Sequence, residues 1–176
     1  MEKYSKEVRI AIIYTFILFS FSCLEKSDKG RFKNELVYNI NVDSIRYIDV
    51  FPREDSILVA RFKLSNDLDY IQLLCKRNNK KDVLFYYKSE WVTADSMYNN
   101  LETINEIKII NRIEYTIDIF LDLELKNINY DYESSGVRVV APNGCTYYNI
   151  TDKDIINEFE ADSLIEKLEK NWWIEK

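Results

Sequence analysis

Between Ile113 and Leu125 every odd position is apolar: Ile113, Tyr115, Ile117, Ile119, Leu121, Leu123 and Leu125. The even positions are Glu114, Thr116, Asp118, Phe120, Asp122 and Glu124. Successive residues of a strand point to opposite faces. The period therefore predicts one long antiparallel strand, with an aliphatic row on the core and an acidic row in water. A slip of one residue would turn the whole aliphatic row to solvent, which pins the register.

Shorter elements are read around that strand. Val37–Val50 predicts one or two strands, and Pro52 with Arg53-Glu54-Asp55 a turn. Ser56–Leu64 reads as a strand. Ser65-Asn66-Asp67 offers helix caps, and Leu68, Ile71, Leu74 and Cys75 recur at spacings of three and four, predicting a short helix over Asp67–Arg77. Asn78–Lys81 is a turn, Val83–Tyr87 a strand, and Thr93 or Asp95 caps a helix over Ala94–Leu101. Val137–Ala141 and Cys145–Ile150 flank Pro142-Asn143-Gly144 as a hairpin, Asn-Gly supplying the backbone such turns need. Helix starts at Thr151–Asp154 and at Ser163–Glu166 predict two C-terminal helices or one kinked helix. The fold class is α+β: an antiparallel sheet of about five to seven strands with the C-terminal helices packed on one face. A β-sandwich with a helical appendix is the alternative.

The chain has no histidine. That removes the commonest general base and metal ligand, and with them Ser-His-Asp and Cys-His triads and imidazole zinc sites. The net charge is −6, which argues against nucleic acid, because phosphate binding relies on clustered Lys and Arg. No cofactor is expected.

The N-terminal segment has its own pattern. Lys3, Lys6 and Arg9 precede an apolar run, Ile10–Phe21, followed by Ser22-Cys23 and then by polar Glu25–Arg31. The run is shorter than the roughly 20 residues that span a bilayer. Phe19-Ser20-Phe21-Ser22-Cys23, with small Ser22 before the cysteine, resembles the lipobox of bacterial membrane lipoproteins. The resemblance implies a signal peptide over 1–22, lipid attachment at Cys23 and a cell-envelope location, the domain anchored to a membrane through its N-terminal lipid. An uncleaved signal anchor and an ordinary secretory signal are the other readings. Residues 23–35 then form a polar tether, and 36–176 a single globular domain, since about 150 residues suffice for one core.

Within that domain four features invite a functional reading. The acidic row Glu114, Asp118, Asp122 and Glu124 has the strand spacing of a carboxylate pair for glycan hydrolysis, or of oxygen ligands for Ca²⁺, or is simply a wet sheet face. The loop Asn127–Gly136, with Asn129, Tyr130, Asp131 and Tyr132, is a candidate binding surface, aromatic and polar like many paratopes. Trp91, Trp172 and Trp173 are candidate platforms beside it. Cys75 and Cys145 either pair, as cysteines outside the cytoplasm often do, or stay as buried thiols. Asn149-Ile150-Thr151 matches a glycosylation triplet, but Thr151 reads better as a helix cap. Three functions stay open. The first is a non-enzymatic envelope lipoprotein binding a protein or polysaccharide. The second is an immunity-type or inhibitor lipoprotein masking a basic toxin, and the third a carboxylate-only glycan hydrolase.

Overall fold

The computed structural model describes residues 32–54, 56–63, 70–78, 80–99, 104–131 and 135–175. The expected signal peptide, Cys23 and the expected tether as far as Arg31 lie outside them. The chain divides into two compact units, Met1–Ile40 and Asn41–Lys176. The first contains helical residues 32–34 and a π-helical turn, Glu35–Asn39, where the tether was expected to run to residue 35 and strand to begin at Val37.

In the second unit ten strands form one antiparallel sheet, confirming the α+β class. They are β1 Ile48–Glu54, β2 Ile57–Phe62, β3 Ile71–Arg77, β4 Val83–Tyr87, β5 Glu90–Thr93, β6 Asn127–Asp131, β7 Gly136–Val140, β8 Thr146–Asn149, β9 Ile165–Lys167 and β10 Trp172–Glu175. Their order is β5-β4-β3-β2-β1-β6-β7-β8-β10-β9. The described helices are α1 Val42–Ile45, α2 Ala94–Tyr98, α3 Ile104–Asp122 and α4 Lys153–Ala161.

Cross-strand partners share a face, so the register separates core from outside. Leu73, Ala60, Val50, Ile128, Val139, Tyr147 and Ile174 pair in one row across seven strands. From Ala60 to Tyr147 every member of the row is fully buried. This is the inner face. The outer face carries Asp49, Arg61 and Gln72 on one half, and Asn129, Arg138, Tyr148, Trp173 and Lys167 on the other.

The segment expected as the long strand is the helix α3. Its buried residues Ile110, Ile113, Ile117 and Phe120 are spaced three, four and three apart, a helical stripe that begins upstream of the alternating run. Tyr115 and Ile119 are half-buried on its flanks, which is how a helix rich in isoleucine imitates period two. Nineteen residues also exceed the usual strand length. The helix stops in a Schellman motif: the Leu125 N–H donates to Phe120 O at 2.8 Å and the Glu124 N–H to Leu121 O at 3.3 Å, with Glu124 at φ 52°. The helix packs on β1 and β4, and α2 beside it on β4 and β5. A cavity of about 150 Å³ lined by Phe62, Leu73, Tyr87, Met97 and Ile110 places both helices on the inner face.

Other boundaries move as well. The span Val37–Val50 contains α1, capped by the Asn41 side chain accepting from the Asp43 N–H, before β1 begins. Pro52 lies inside β1, beside a register irregularity, rather than in the turn. Ile71–Arg77 is strand, not helix: it is paired with β2 on one side and β4 on the other, and two ladders outweigh a local three-four spacing. The expected caps Ser65–Asp67 lie outside the described residues. The 142–144 hairpin holds. The Gly144 N–H donates to Ala141 O at 3.0 Å, and Gly144 alone in the turn has positive φ, 85°.

The chain ends with one helix, not two. Asp152, rather than Thr151, caps α4 by accepting from the N–H groups of Asp154 and Ile155. Ser163–Glu166 does not start a helix, because Ile165–Lys167 is the edge strand against β10. Asn149 is buried, its amide donating to Lys170 O at 3.1 Å.

Candidate functional site

On the outer face of β6, β7, β8 and β10, α4 lies across the sheet. Its Phe159 ring meets Tyr148 edge-on at 5.2 Å and Trp173 at 5.8 Å. Trp173 is 2% exposed. Between helix and sheet runs a groove of about 320 Å³, its apolar wall made by Ile150, Ile155, Phe159 and Ile165. Asp131, Arg138, Tyr148, Glu158 and Glu175 supply its polar groups. A second depression of about 480 Å³, lined by Asn143, Gly144, Cys145 and Thr146, adjoins it and shares Arg138 and Glu175.

The register explains why these side chains meet. Arg138 is paired with Asn129 on one side and Tyr148 on the other, and Tyr148 with Trp173. The Tyr148 hydroxyl donates to Glu175 Oε2 at 2.7 Å. Burial, then the neighbouring Glu175 carboxylate, pushes the Tyr148 phenol above its ordinary value, and Arg138 opposes them. The trio sets a guanidinium, a phenol donor and a carboxylate at the junction of two depressions. It can orient a polar group of a ligand whose apolar part lies along α4.

The sequence-based candidates distribute unevenly over this site. Asn129 and Asp131 face outward next to Arg138, and Asp131 lines the groove. Tyr130, between them, points the other way: it is 6% exposed, its ring 4.4 Å from that of Tyr47, so it is no surface platform. Tyr132 lies outside the described residues. Trp172 and Trp173 are buried in the sheet, and only Trp91 is half-exposed. Arg138, Tyr148, Phe159 and Glu175 had no signal of their own in the sequence. The outward side of the hairpin around Asn143-Gly144 was the one available hint.

The disulfide is not formed. Cys75 and Cys145 are both free, on β3 and beside β8, with four strands between them. At about 4.8 Å per strand that is far beyond the 7 Å Cα reach of a bridge. Burial pushes the Cys75 thiol up to about 12, so it stays an inert core group.

The acidic row is a helix stripe, not a strand face. Glu114, Asp118 and Asp122 follow one another at i, i+4 and i+8 on α3, while Glu124 sits in the terminating turn. Arg77 reaches from the inner face of β3 and binds two of them, Nη2 to Asp118 Oδ1 at 2.5 Å and Nη1 to Asp122 Oδ1 at 2.7 Å. Glu114 has its carboxyl raised above the ordinary range, by burial first and then by Asp118, Asp95 and Asp82. Among the described residues no three Cys, Asp or Glu side chains converge as metal ligands, and no helix is long and apolar enough to cross a membrane. No family model, curated protein or solved structure matches this chain.

Proposed function

We propose that the protein is a non-enzymatic binding module of the bacterial cell envelope, held at a membrane by lipid on Cys23, which takes a protein or polysaccharide partner in the groove beneath α4. The leader supports the tether: the apolar run Ile10–Phe21 ends at Ser22-Cys23. One observation carries the binding role, the Arg138–Tyr148–Glu175 trio set at the junction of two depressions with the apolar side of α4 as one wall. The hydrolase and toxin-masking readings draw less support. A carboxylate pair that activates water needs a gap between its members, and Arg77 fills the gap between Asp118 and Asp122. The same ion pairs cancel part of the charge an acidic docking face would present.

Two measurements test the proposal. Mass spectrometry of membrane fractions should find diacylglycerol on Cys23, and Cys23→Ala should move the chain to the soluble fraction; full-length, unacylated protein in the cytosol would end the tether. For the groove, a photo-crosslinker at position 158 should give an adduct in cells that disappears with Arg138→Ala. An adduct unaffected by Arg138→Ala, or none, removes the groove as the binding site.

A further inference from the structure

The outer face of β1–β5 is not covered by any described helix. α2 and α3 lie on the opposite side of these strands, and α4 lies against β9. Two aromatic–cation clusters stand on this open face. In one, the Arg61 guanidinium lies 4.6 Å from the Tyr70 ring and 5.8 Å from Phe51, and Lys63 Nζ lies 4.5 Å from Tyr70. In the other, Lys76 Nζ is 4.2 Å from the Trp91 ring, and Tyr86 packs on Trp91 at 5.3 Å. Tyr70 is 39% and Tyr86 43% exposed.

The charge of this face runs against that of the chain. Its strands present Arg53, Arg61 and Lys76, with Lys63 just past β2, against Asp49 and Glu54, and Asp49 is buried beneath Arg61, so the described strand charges sum to a cationic face whereas the whole chain carries −6. Residues Gln72 and Lys76 of β3, which mark the two clusters, are four positions apart, about 13 Å along the strand. Half-exposed rings at both ends of that span, each with an ammonium or guanidinium beside it, match a polymer that repeats two features at short intervals. Those features are a flat face to stack on an aromatic ring and an anionic group to meet a cation. Sugar rings bearing carboxylates or phosphates have both; an acidic peptide has only the charges.

We infer that the outer face of β1–β5 binds an anionic glycan strand, with Trp91 and Tyr86 as one stacking platform, Tyr70 as the other, and Lys76 meeting the anionic groups. This surface is separate from the groove beneath α4 and does not depend on it.

Titration of the full chain in detergent with polygalacturonate, dextran and polyglutamate tests the inference. Trp172 and Trp173 are buried, so a change in tryptophan fluorescence reports Trp91. Polygalacturonate should bind and quench, and added salt should weaken it. Dextran and polyglutamate should bind at least about tenfold more weakly, lacking the charge and the stacking face respectively. Tyr86→Ala, which keeps the Trp91 reporter, should weaken polygalacturonate about tenfold, the loss of one stacking contact. Lys76→Glu, which leaves every ring in place, should weaken it at least as much, while Arg138→Ala leaves it unchanged. Absence of polygalacturonate binding, equal binding of polyglutamate or dextran, or affinity unmoved by Lys76→Glu in protein of native circular dichroism overturns the inference.

Discussion

The long helix α3 and the short helix α4 dress opposite faces of one sheet and are held on different terms. The first contributes Ile110, Ile113, Ile117 and Phe120 to the core, all buried. The second is amphipathic but has no fully buried residue, and it holds to β8 and β10 mainly through Phe159. An amphipathic sequence therefore does not by itself give a core helix. Where the sheet beneath is already closed by large aromatics such as Trp173, the helix becomes a cover, and the imperfect fit leaves a groove. Elements with few buried contacts open at lower free energy than the core, so the candidate site sits beside the more easily displaced of the two helices.

Removing side chains from each helix puts this contrast at risk. Ile117→Ala should cost about 2–5 kcal/mol, the range for a fully buried aliphatic, in urea unfolding. Phe159→Ala should cost less than half of that, since Phe159 is only partly buried; equal losses would make α4 a core element. Asp49 tests the join between the two halves. Its Oδ2 receives Arg61 at 2.6 Å and its Oδ1 the Tyr130 N–H at 2.7 Å, from inside the sheet. Asp49→Ala leaves both donors unmatched and should cost about 2–3 kcal/mol. A smaller loss means that water replaces the carboxylate. Asp152→Ala removes the α4 cap and should cost about 1 kcal/mol, with hydrogen exchange faster over 153–161 and unchanged over 104–122.

The smallest effect belongs to α3. Because the folded state raises the Glu114 carboxyl, folded protein holds that proton more tightly than unfolded protein does, and stability falls as pH rises from the ordinary glutamate range through the raised value. At neutral pH the charge is a cost. Glu114→Gln should therefore raise stability at pH 7 by on the order of 0.3 kcal/mol, the size of a screened i,i+4 like-charge contact. The gain should vanish below about pH 4; a variant less stable at pH 7 contradicts the assignment.

How far the sequence could be read depended on how local the deciding interaction was. The 142–144 hairpin and the Thr93 cap of α2 were legible, because turn chemistry is settled within a few residues. The strand Ile71–Arg77 was misread because its hydrogen bonds go to strands on both sides, which spacing does not reveal. The helix α3 was misread from a window that began at Ile113, when Ile107 and Ile110 already set the three-four stripe. Of the groove, Asp131 and Asn129 were singled out, but as residues of a loop over Asn127–Gly136, whereas they lie in β6 and Gly136 opens β7. Arg138, Tyr148 and Glu175 were not singled out, since they meet only through cross-strand register and the placement of α4.

The strands β1 and β6 meet at Val50 and Ile128, far apart in the chain, whereas most other neighbours in the sheet are joined by short hairpins. Bringing such distant segments together carries a loop-closure cost that the hairpins avoid. Each half therefore can assemble early and alone, and completion of the sheet waits on that one encounter. Asp49, which grips both sides of it, should set the pace: Asp49→Ala should slow refolding in stopped-flow experiments by about as much as it lowers stability, and leave the unfolding rate nearly untouched.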